Sequence, residues 1–371
     1  MKKAIVSVIN DLVTDQRVDR TCNTLVGLGF DVHLAGRRKK NSYALPERKY
    51  NMTRFHMFFE KGPLFYAFFN FRLFFYLLFK KTDLLFANDL DTLLPNYLVS
   101  KIKRIPLVYD SHEYFTGVPE LEGRPFVQKT WKTIERYVFP KLKDIITVNK
   151  SIADLYKTEY GKELTIVRNI PKTRSVSGIK TRAELGLPEN KQLIILQGSG
   201  INIQRGAEEA VEAMIFIENA CLLIVGDGDV IPLLKLSVKK NGLKEKVLFI
   251  PKQSPENLIH YTAISDLGLT LDKDTNINYR FSLPNKLFDY IHARIPILAS
   301  PLVEVKNIID EFGIGSCIET HAPEHIAEKI RFMLSDKESR DIWKKNLKLA
   351  AEKLTWEEEQ KKLISVLQKY A

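Results

Sequence analysis

With 371 residues, the chain is long for one hydrophobic core and comfortable for two domains of about 150–200 residues each. Its 45% apolar and 27% charged residues exclude a disordered chain. The dispersed Cys22, Cys221 and Cys317 exclude a disulfide framework or cysteine zinc site and suit a reducing compartment.

The formal charge of +11 is unevenly spread: residues 1–168 carry 28 Lys/Arg against 18 Asp/Glu, and residues 169–371 carry 28 against 27. The first half is therefore expected to meet something anionic, whether phosphates, nucleic acid or a membrane surface.

The apolar run at 4–9 is short of the about 7–15 residues of a secretory core. It predicts a first β-strand in a cytoplasmic protein. Further apolar runs at 31–35, 53–58, 84–87, 107–110, 145–148 and 165–167 predict strands. Stretches of helical period lie between them, such as Val18, Cys22, Leu25, Val26 and Leu28. Strands without polar alternation, separated by helices, predict a parallel sheet covered on both faces. The polar, Pro- and Gly-broken stretch 171–191 predicts an interdomain crossing. Strands then resume at 193–196, 221–225, 247–250, 267–271, 297–299 and 316–318, with helices at 255–264, 283–293 and 323–334. The expectation is two consecutive doubly wound α/β domains, 1–168 and 169–371, and an amphipathic helix at the C-terminus.

From 55 to 79 about half the residues are aromatic, and Lys80-Lys81 follows. Asn70 and Arg72 interrupt the run, whereas a spanning helix needs about 20 apolar residues. The segment predicts an interfacial helix on an anionic membrane surface, with a buried helix of the first domain as the alternative.

No P-loop, HExxH or GxSxG is present. Gly226-Asp227-Gly228-Asp229 ends a strand, but Ile231 stands where a dinucleotide fingerprint needs its third glycine. Three segments of the second domain are expected at the carboxyl ends of its strands, where doubly wound sheets hold ligands. Gly198-Ser199-Gly200 followed by Arg205-Gly206 offers close backbone approach and a fixed cation, the makings of a phosphate site. In the run from Ser282 to Tyr290, Ser282 or Leu283 is expected to cap a helix with Pro284 and Lys286 in its first turn, again suited to a diphosphate. Asp289 is placed to accept from ribose hydroxyls. The loop 250–255 is expected to wall a base.

In order and spacing these segments resemble the GT-B glycosyltransferases of family 4. The carriers are Gly-x-Gly with Arg205-Gly206, Ile224 to Gly228, and Ser282-Leu283-Pro284-Asn285-Lys286-Leu287-Phe288-Asp289-Tyr290-Ile291 with Pro296 to Ala299. Asp15-Gln16-Arg17-Val18, Tyr109-Asp110-Ser111-His112-Glu113 and Arg168-Asn169 carry it in the first half. The resemblance implies a retaining, nucleotide-sugar-dependent enzyme with two Rossmann-like domains facing an interdomain cleft. The first domain would take the acceptor and the second the donor, and the helix 356–371 would pack back on the first.

It implies Arg205 on the donor diphosphate, Asp289 on the ribose and His112 near the anomeric centre. Lys286 joins Arg205 and His112 as the catalytic set. Gly198, Ser199, Gly200, Asp227, Ser282, Leu283 and Asn285 line the donor side with Asp289. Asp15, Arg17 and Glu113 line the acceptor side. Two positions depart from the pattern: Phe281 replaces the first acid of E-x7-E, and the second phosphate cation is missing around Ser199–Gly200.

Breaking a C1–O bond leaves negative charge on the diphosphate, and Arg205, Lys286 and helix N-termini would stabilise it. On this reading no metal or other cofactor is needed, and Asp89-Leu90-Asp91 is a metal motif in letters only. The partners are a nucleotide-diphosphate sugar, a glycan or lipid-linked acceptor, and an anionic membrane surface via 55–81 at the inner face. No nucleic-acid signature accompanies the basic half. The alternatives are a catalytically silent peripheral membrane protein of the same fold, favoured by Phe281, and a sugar-nucleotide epimerase.

Overall fold

The apolar runs become two parallel sheets in a computed structural model that describes residues 1–172 and 178–371. Residues 173–177 of the expected crossing lie outside the described residues. The chain divides into one unit of Met1–Asn169 with Glu358–Ala371, and a second of Ile170–Glu357.

The first unit runs β1 (Lys3–Ser7), α1 (Gln16–Gly27), β2 (Asp31–Arg37), β3 (Asn51–Phe55), α2 (Gly62–Phe79), β4 (Leu84–Asn88), α3 (Leu90–Lys103), β5 (Leu107–Ser111), α4 (Pro125–Val138), β6 (Asp144–Thr147), α5 (Lys150–Tyr160) and β7 (Thr165–Ile166). Its strand order is β3-β2-β1-β4-β5-β6-β7, and the pairs are parallel. Every residue of β4 and β5 is buried, as strands covered on both faces require.

The second unit runs β8 (Gln192–Gly198), α6 (Ala207–Ala213), β9 (Ala220–Gly226), α7 (Ile231–Lys240), β10 (Val247–Ile250), α8 (Pro255–Ala263), β11 (Leu267–Thr270), α9 (Ile277–Arg280), α10 (Asn285–Ala293), β12 (Ile297–Ala299), α11 (Val303–Phe312), β13 (Gly315–Cys317), α12 (Pro323–Ser335) and α13 (Lys337–Lys353). Its order is β10-β9-β8-β11-β12-β13, also parallel. Both sheets reverse direction once, between β1 and β4 and between β8 and β11. At such a reversal the loops leaving neighbouring strands turn to opposite faces and leave a crevice at the carboxyl edge.

Three local expectations change. The strand expected at 53–58 stops at Phe55, opposite Arg37, where its partner β2 ends; Gly62 at φ +79 and Pro63 then open α2. The aromatic run 55–79 is thus a strand end, a turn and a helix. The helix expected from 283 starts at Asn285. Pro284 is its extended N-cap (φ −71, ψ 142), and neither Ser282 nor Leu283 caps it.

Helix α2 buries one stripe, Phe65, Phe69, Leu73 and Leu77, whose four-residue spacing keeps one face inward. Phe55 packs edge-on to Tyr76 and tilted to Phe69. Other aromatics of α2 stay outside: Phe71 is 61% exposed and Phe79 80%. Phe71, Phe75 and Phe79 form a ring ladder with centroids 4.7 and 6.1 Å apart.

The last helix, α14 (Trp356–Leu367), ties the chain end into the first unit. Glu359 accepts from Arg168 N at 2.8 Å, Gln360 donates to Thr24 Oγ1 at 2.9 Å, and Lys369 and Tyr370 both bond Asp144.

In the second unit the loops leaving β8 and β9 are knitted together. Ile201 N donates to Asp227 O at 2.9 Å, and Asp227 N to Gly198 O at 3.2 Å. Gly226 has φ +142, and a Cβ there would lie 1.7 Å from Gly198 O. Gly206 has φ +73, and its Cβ would meet Leu271 O at 2.3 Å. The loop after β8 can therefore lie on the loop after β11 only with glycine at 206. Gly206→Ala is expected to destabilise the protein by about 2–4 kcal/mol, combining strained backbone and overpacking. Urea unfolding measures this; a loss under about 0.5 kcal/mol would mean that the two loops do not touch.

Candidate functional site

The crevice between β8 and β11 gathers the predicted donor residues of the second unit. Arg205 follows β8 and Lys286 lies in the first turn of α10; they meet on a residue that the motif reading passed over. Asp272, just beyond β11 and 2% exposed, accepts from Arg205 Nη1 at 3.3 Å and from Lys286 Nζ at 3.1 Å. Thr270 Oγ1 lies 3.4 Å from Asp272 Oδ2. The Arg205 guanidinium lies 4.8 Å from the Tyr279 ring centroid, a cation–π contact that fixes its plane. Arg205 Nε and Ser282 Oγ are buried and find no partner among the described residues.

Asp289, one turn into α10, accepts from Gln197 Nε2 at 3.0 Å. Gln197 in turn accepts from Thr262 Oγ1 at 2.7 Å, so the carboxylate is aimed by a buried amide. Gly198, Ser199 and Gly200 form the exit of β8. The Asp227 carboxylate is engaged locally, accepting from Gly228 N at 2.8 Å. Leu283 packs on the core beneath α10, and Asn285 stands exposed as the first residue of a helix with no side-chain cap. The loop 250–255 leaves β10, the edge strand two places from β8, and is the donor segment farthest in the sheet order from Asp272.

In the first unit the carboxyl edge holds a second ionic cluster. Asp110, at the end of β5, accepts from Arg17 Nε at 2.9 Å and Nη2 at 2.7 Å, while Arg17 Nη1 donates to Val167 O at 2.7 Å. Arg17 is 4% exposed. Arg17, expected on the acceptor side, has its guanidinium engaged by Asp110 and the Val167 carbonyl. Asp15 caps α1 through Val18 N at 3.1 Å and accepts from Asn10 at 3.1 Å. Glu113 is half-buried.

His112 lies between two acids. Its Nδ1 is 3.2 Å from Asp89 Oδ2 and its Nε2 is 3.4 Å from Asp110 Oδ2. Nε2 also lies 3.2 Å from Asn88 Oδ1, and His112 N donates to Asp89 Oδ1 at 2.8 Å. Asp89 holds this geometry with a backbone φ of +58, strained for a residue with a side chain. Burial disfavours the charged ring, but Asp89 and Asp110 outweigh it and raise the His112 pKa to about 9. Burial likewise pushes Asp110 up, and Arg17 and His112 more than reverse it, holding Asp110 well below the usual carboxylate range. A ring charged at neutral pH donates hydrogen bonds and abstracts no proton.

Asp272 and Asp89 are the site residues that motif reading missed. Each directly follows an apolar strand at the sheet reversal, a position that the strand order alone marks. Among the described residues no group of three or more His, Cys, Asp or Glu is placed to hold a metal ion.

A histidine raised from 6.5 to about 9 stabilises the fold fully below pH 6.5, and that contribution is lost as pH rises through 9. The melting temperature is therefore expected to fall between pH 7 and 9.5 in the wild type and to fall less in His112→Gln. Parallel curves for the two proteins in scanning calorimetry would show that His112 is not charged at neutral pH.

Two family models match in series: Glycosyltransferase Family 4 over residues 15–171 and Glycosyl transferases group 1 over residues 179–350. No curated protein matches the chain. Among solved structures, the fold is similar to sucrose-phosphate synthase from Thermosynechococcus elongatus, with TM-score 0.78, 16% identity and 100% and 99% of the two chains covered. It is similar to WaaG, a glycosyltransferase involved in lipopolysaccharide biosynthesis, with TM-score 0.73, 16% identity and 98% and 99% covered. It is also similar to HepE from Anabaena in complex with UDP, with TM-score 0.74, 14% identity and 100% of both chains covered. With both halves matched by glycosyltransferase families and both parallel sheets in their expected order, the chain belongs to the GT-B glycosyltransferases.

Proposed function

We propose that this enzyme moves a sugar, with retention, from a nucleotide-diphosphate sugar bound by the second unit to a lipid-linked or surface-glycan acceptor bound by the first. The observation that carries the reading is the convergence of Arg205 and Lys286 on one buried point at the β8/β11 reversal. Two fixed cations there, beside the uncapped start of α10, suit the charge that grows on a departing diphosphate. They do the work for which other enzymes use a divalent ion, so the reading is metal-free. Asp289, aimed by Gln197, suits the ribose. Support for a uridine nucleotide comes from HepE, whose structures hold UDP and UDP-glucose.

The acceptor side rests on α2. By length and composition this helix is apolar enough to cross a membrane, yet its inner stripe is committed to the first unit. The face carrying Phe71, Phe75 and Phe79 is left outward, with exposed Lys61 at one end and Lys80 and Lys81 at the other. No acidic residue occurs between Lys61 and Thr82. An aromatic ridge with basic ends matches an anionic lipid surface. On this reading the enzyme is a peripheral protein at the inner membrane face, a reading supported by WaaG, a relative in fold with a lipopolysaccharide role.

UDP or GDP is expected to raise the melting temperature equally with and without EDTA, since a ligand of the folded state stabilises it. Asp289→Ala is expected to cost about tenfold to hundredfold in nucleotide affinity, the worth of a hydrogen bond to a charged group. Isothermal titration gives both answers; binding abolished by EDTA would overturn the metal-free reading.

Flotation on anionic liposomes is expected for the wild type, with each nearby lysine contributing about 1 kcal/mol. It should weaken in high salt and drop when Phe71, Phe75 and Phe79 become Ser at unchanged melting temperature. Equal flotation of that variant would remove α2 from the membrane contact.

A further inference from the structure

Asp272 is an awkward residue to find at a diphosphate site. It puts a negative charge, 2% exposed, beneath the two cations that the ligand's phosphates need. Its spacing from Arg205 is set by backbone: Lys273 N donates to Gln204 O at 3.0 Å, and Gly206 lies directly on Leu271. Thr270 and the two cations hold the carboxylate, so it has no room to swing away. Removing one partner from a buried ion pair leaves the other charge uncompensated, at a cost of about 3–5 kcal/mol. Lys286, with a side chain only 11% exposed, therefore needs Asp272 whenever no phosphate is present.

We propose that Asp272 is the resident counter-ion of the donor site: it positions Arg205 and Lys286 in the free enzyme and then competes with the ligand's phosphates for them. The inference rests on the donor reading above and deepens it. A nucleotide sugar brings two negative charges on its diphosphate, and the nucleoside diphosphate released after transfer brings one more. A fixed carboxylate beside the cations repels the product more than the substrate. Asp272 thus loosens the product, and in many enzymes product release limits turnover. Its role is positioning and selection by charge, with no contact to the reacting bond.

The test is Asp272→Asn, which keeps the shape and removes the charge. Titration calorimetry with inorganic pyrophosphate, UDP and uridine is run on both proteins at low and high salt. The variant is expected to melt lower without ligand, yet to bind pyrophosphate and UDP about tenfold tighter at low salt, from one fewer repulsive charge at short range. The gain should shrink in high salt and be absent for uridine. In turnover, the variant should show a lower kcat together with stronger inhibition by the nucleoside diphosphate. A scaffolding role alone would weaken all ligands together and leave product inhibition unchanged.

Should Asp272→Asn not fold, the comparison passes to Lys286→Gln against Lys286→Gln with Asp272→Asn. Tighter pyrophosphate binding in the double variant supports the inference, and equal or weaker binding overturns it. If the wild type binds pyrophosphate but neither UDP nor GDP, the nucleotide reading fails, and the counter-ion stands only if the Asp272 variant binds pyrophosphate tighter. If UDP binds the wild type and the variant gains nothing, the counter-ion fails and the nucleotide reading stands. If the wild type does not bind pyrophosphate, both fail.

Discussion

A carboxylate buried at the carboxyl edge of a parallel sheet stays ionised only where cations reach it, because desolvation of the charge is otherwise prohibitive. Each unit of this protein is built round one such group. In the first unit Asp110 receives Arg17 on one side and His112 on the other. In the second, Asp272 receives Arg205 and Lys286. These pairings dictate what the neighbouring loops may do. The strand reversals open the crevices, the glycines at 206 and 226 let the loops close on one another, and the ionic pairs lock the result.

The two clusters differ in what they leave unspent. Arg17 has its guanidinium committed to Asp110 and a backbone carbonyl, and both His112 nitrogens lie beside carboxylates. That network is closed, and its effect is to hold a histidine charged near pH 7. In the second unit Arg205 Nε and Ser282 Oγ find no partner among the described residues, and α10 starts without a side-chain cap. Buried polar groups are ordinarily satisfied, and these two donors beside the cations suit a ligand that would complete their bonding. The difference suits the proposed division, with rigidity in the first cluster and anion binding in the second.

The central strands were legible in the sequence because β1, β4, β8, β9 and β12 are short, mostly apolar runs buried over most of their length, a pattern that survives any detail of packing. Arg205, Lys286 and Asp289 were legible because helix starts and strand ends carry local signals. The roles of Asp272 and Asp89 were not, since they lie in partners 14 to 67 residues away; nothing local marks Asp272, and Asp89 stood out only as part of Asp89-Leu90-Asp91. The burial of Arg17 was not legible either, because a polar residue after a strand looks the same whether it faces ligand or core. The start of α10 slipped to Asn285 because proline followed by a good helical pattern fits N-cap and first turn alike; only the ψ of 142 at Pro284 separates them. In α2 the composition announced an unusual helix, but which aromatics stay outside depended on which stripe the first unit buries.

Phe281 takes on a different meaning beside Asp272. An aromatic side chain at that position offers the donor sugar no hydrogen bond, so selection of the sugar by an acid there is not available to this chain. The buried acid in the crevice lies instead under the cations, where it acts on the number of charges on the phosphates and not on the pattern of hydroxyls. A site arranged this way distinguishes nucleotide sugar from nucleoside diphosphate strongly. Between one hexose and another it must rely on shape and on neutral donors such as the unpartnered Ser282 hydroxyl. A neutral hydroxyl bond contributes about 0.5–1.5 kcal/mol, against roughly 1.5–3 for a charged one. The donor sugar is therefore expected to be selected less sharply than the diphosphate that carries it.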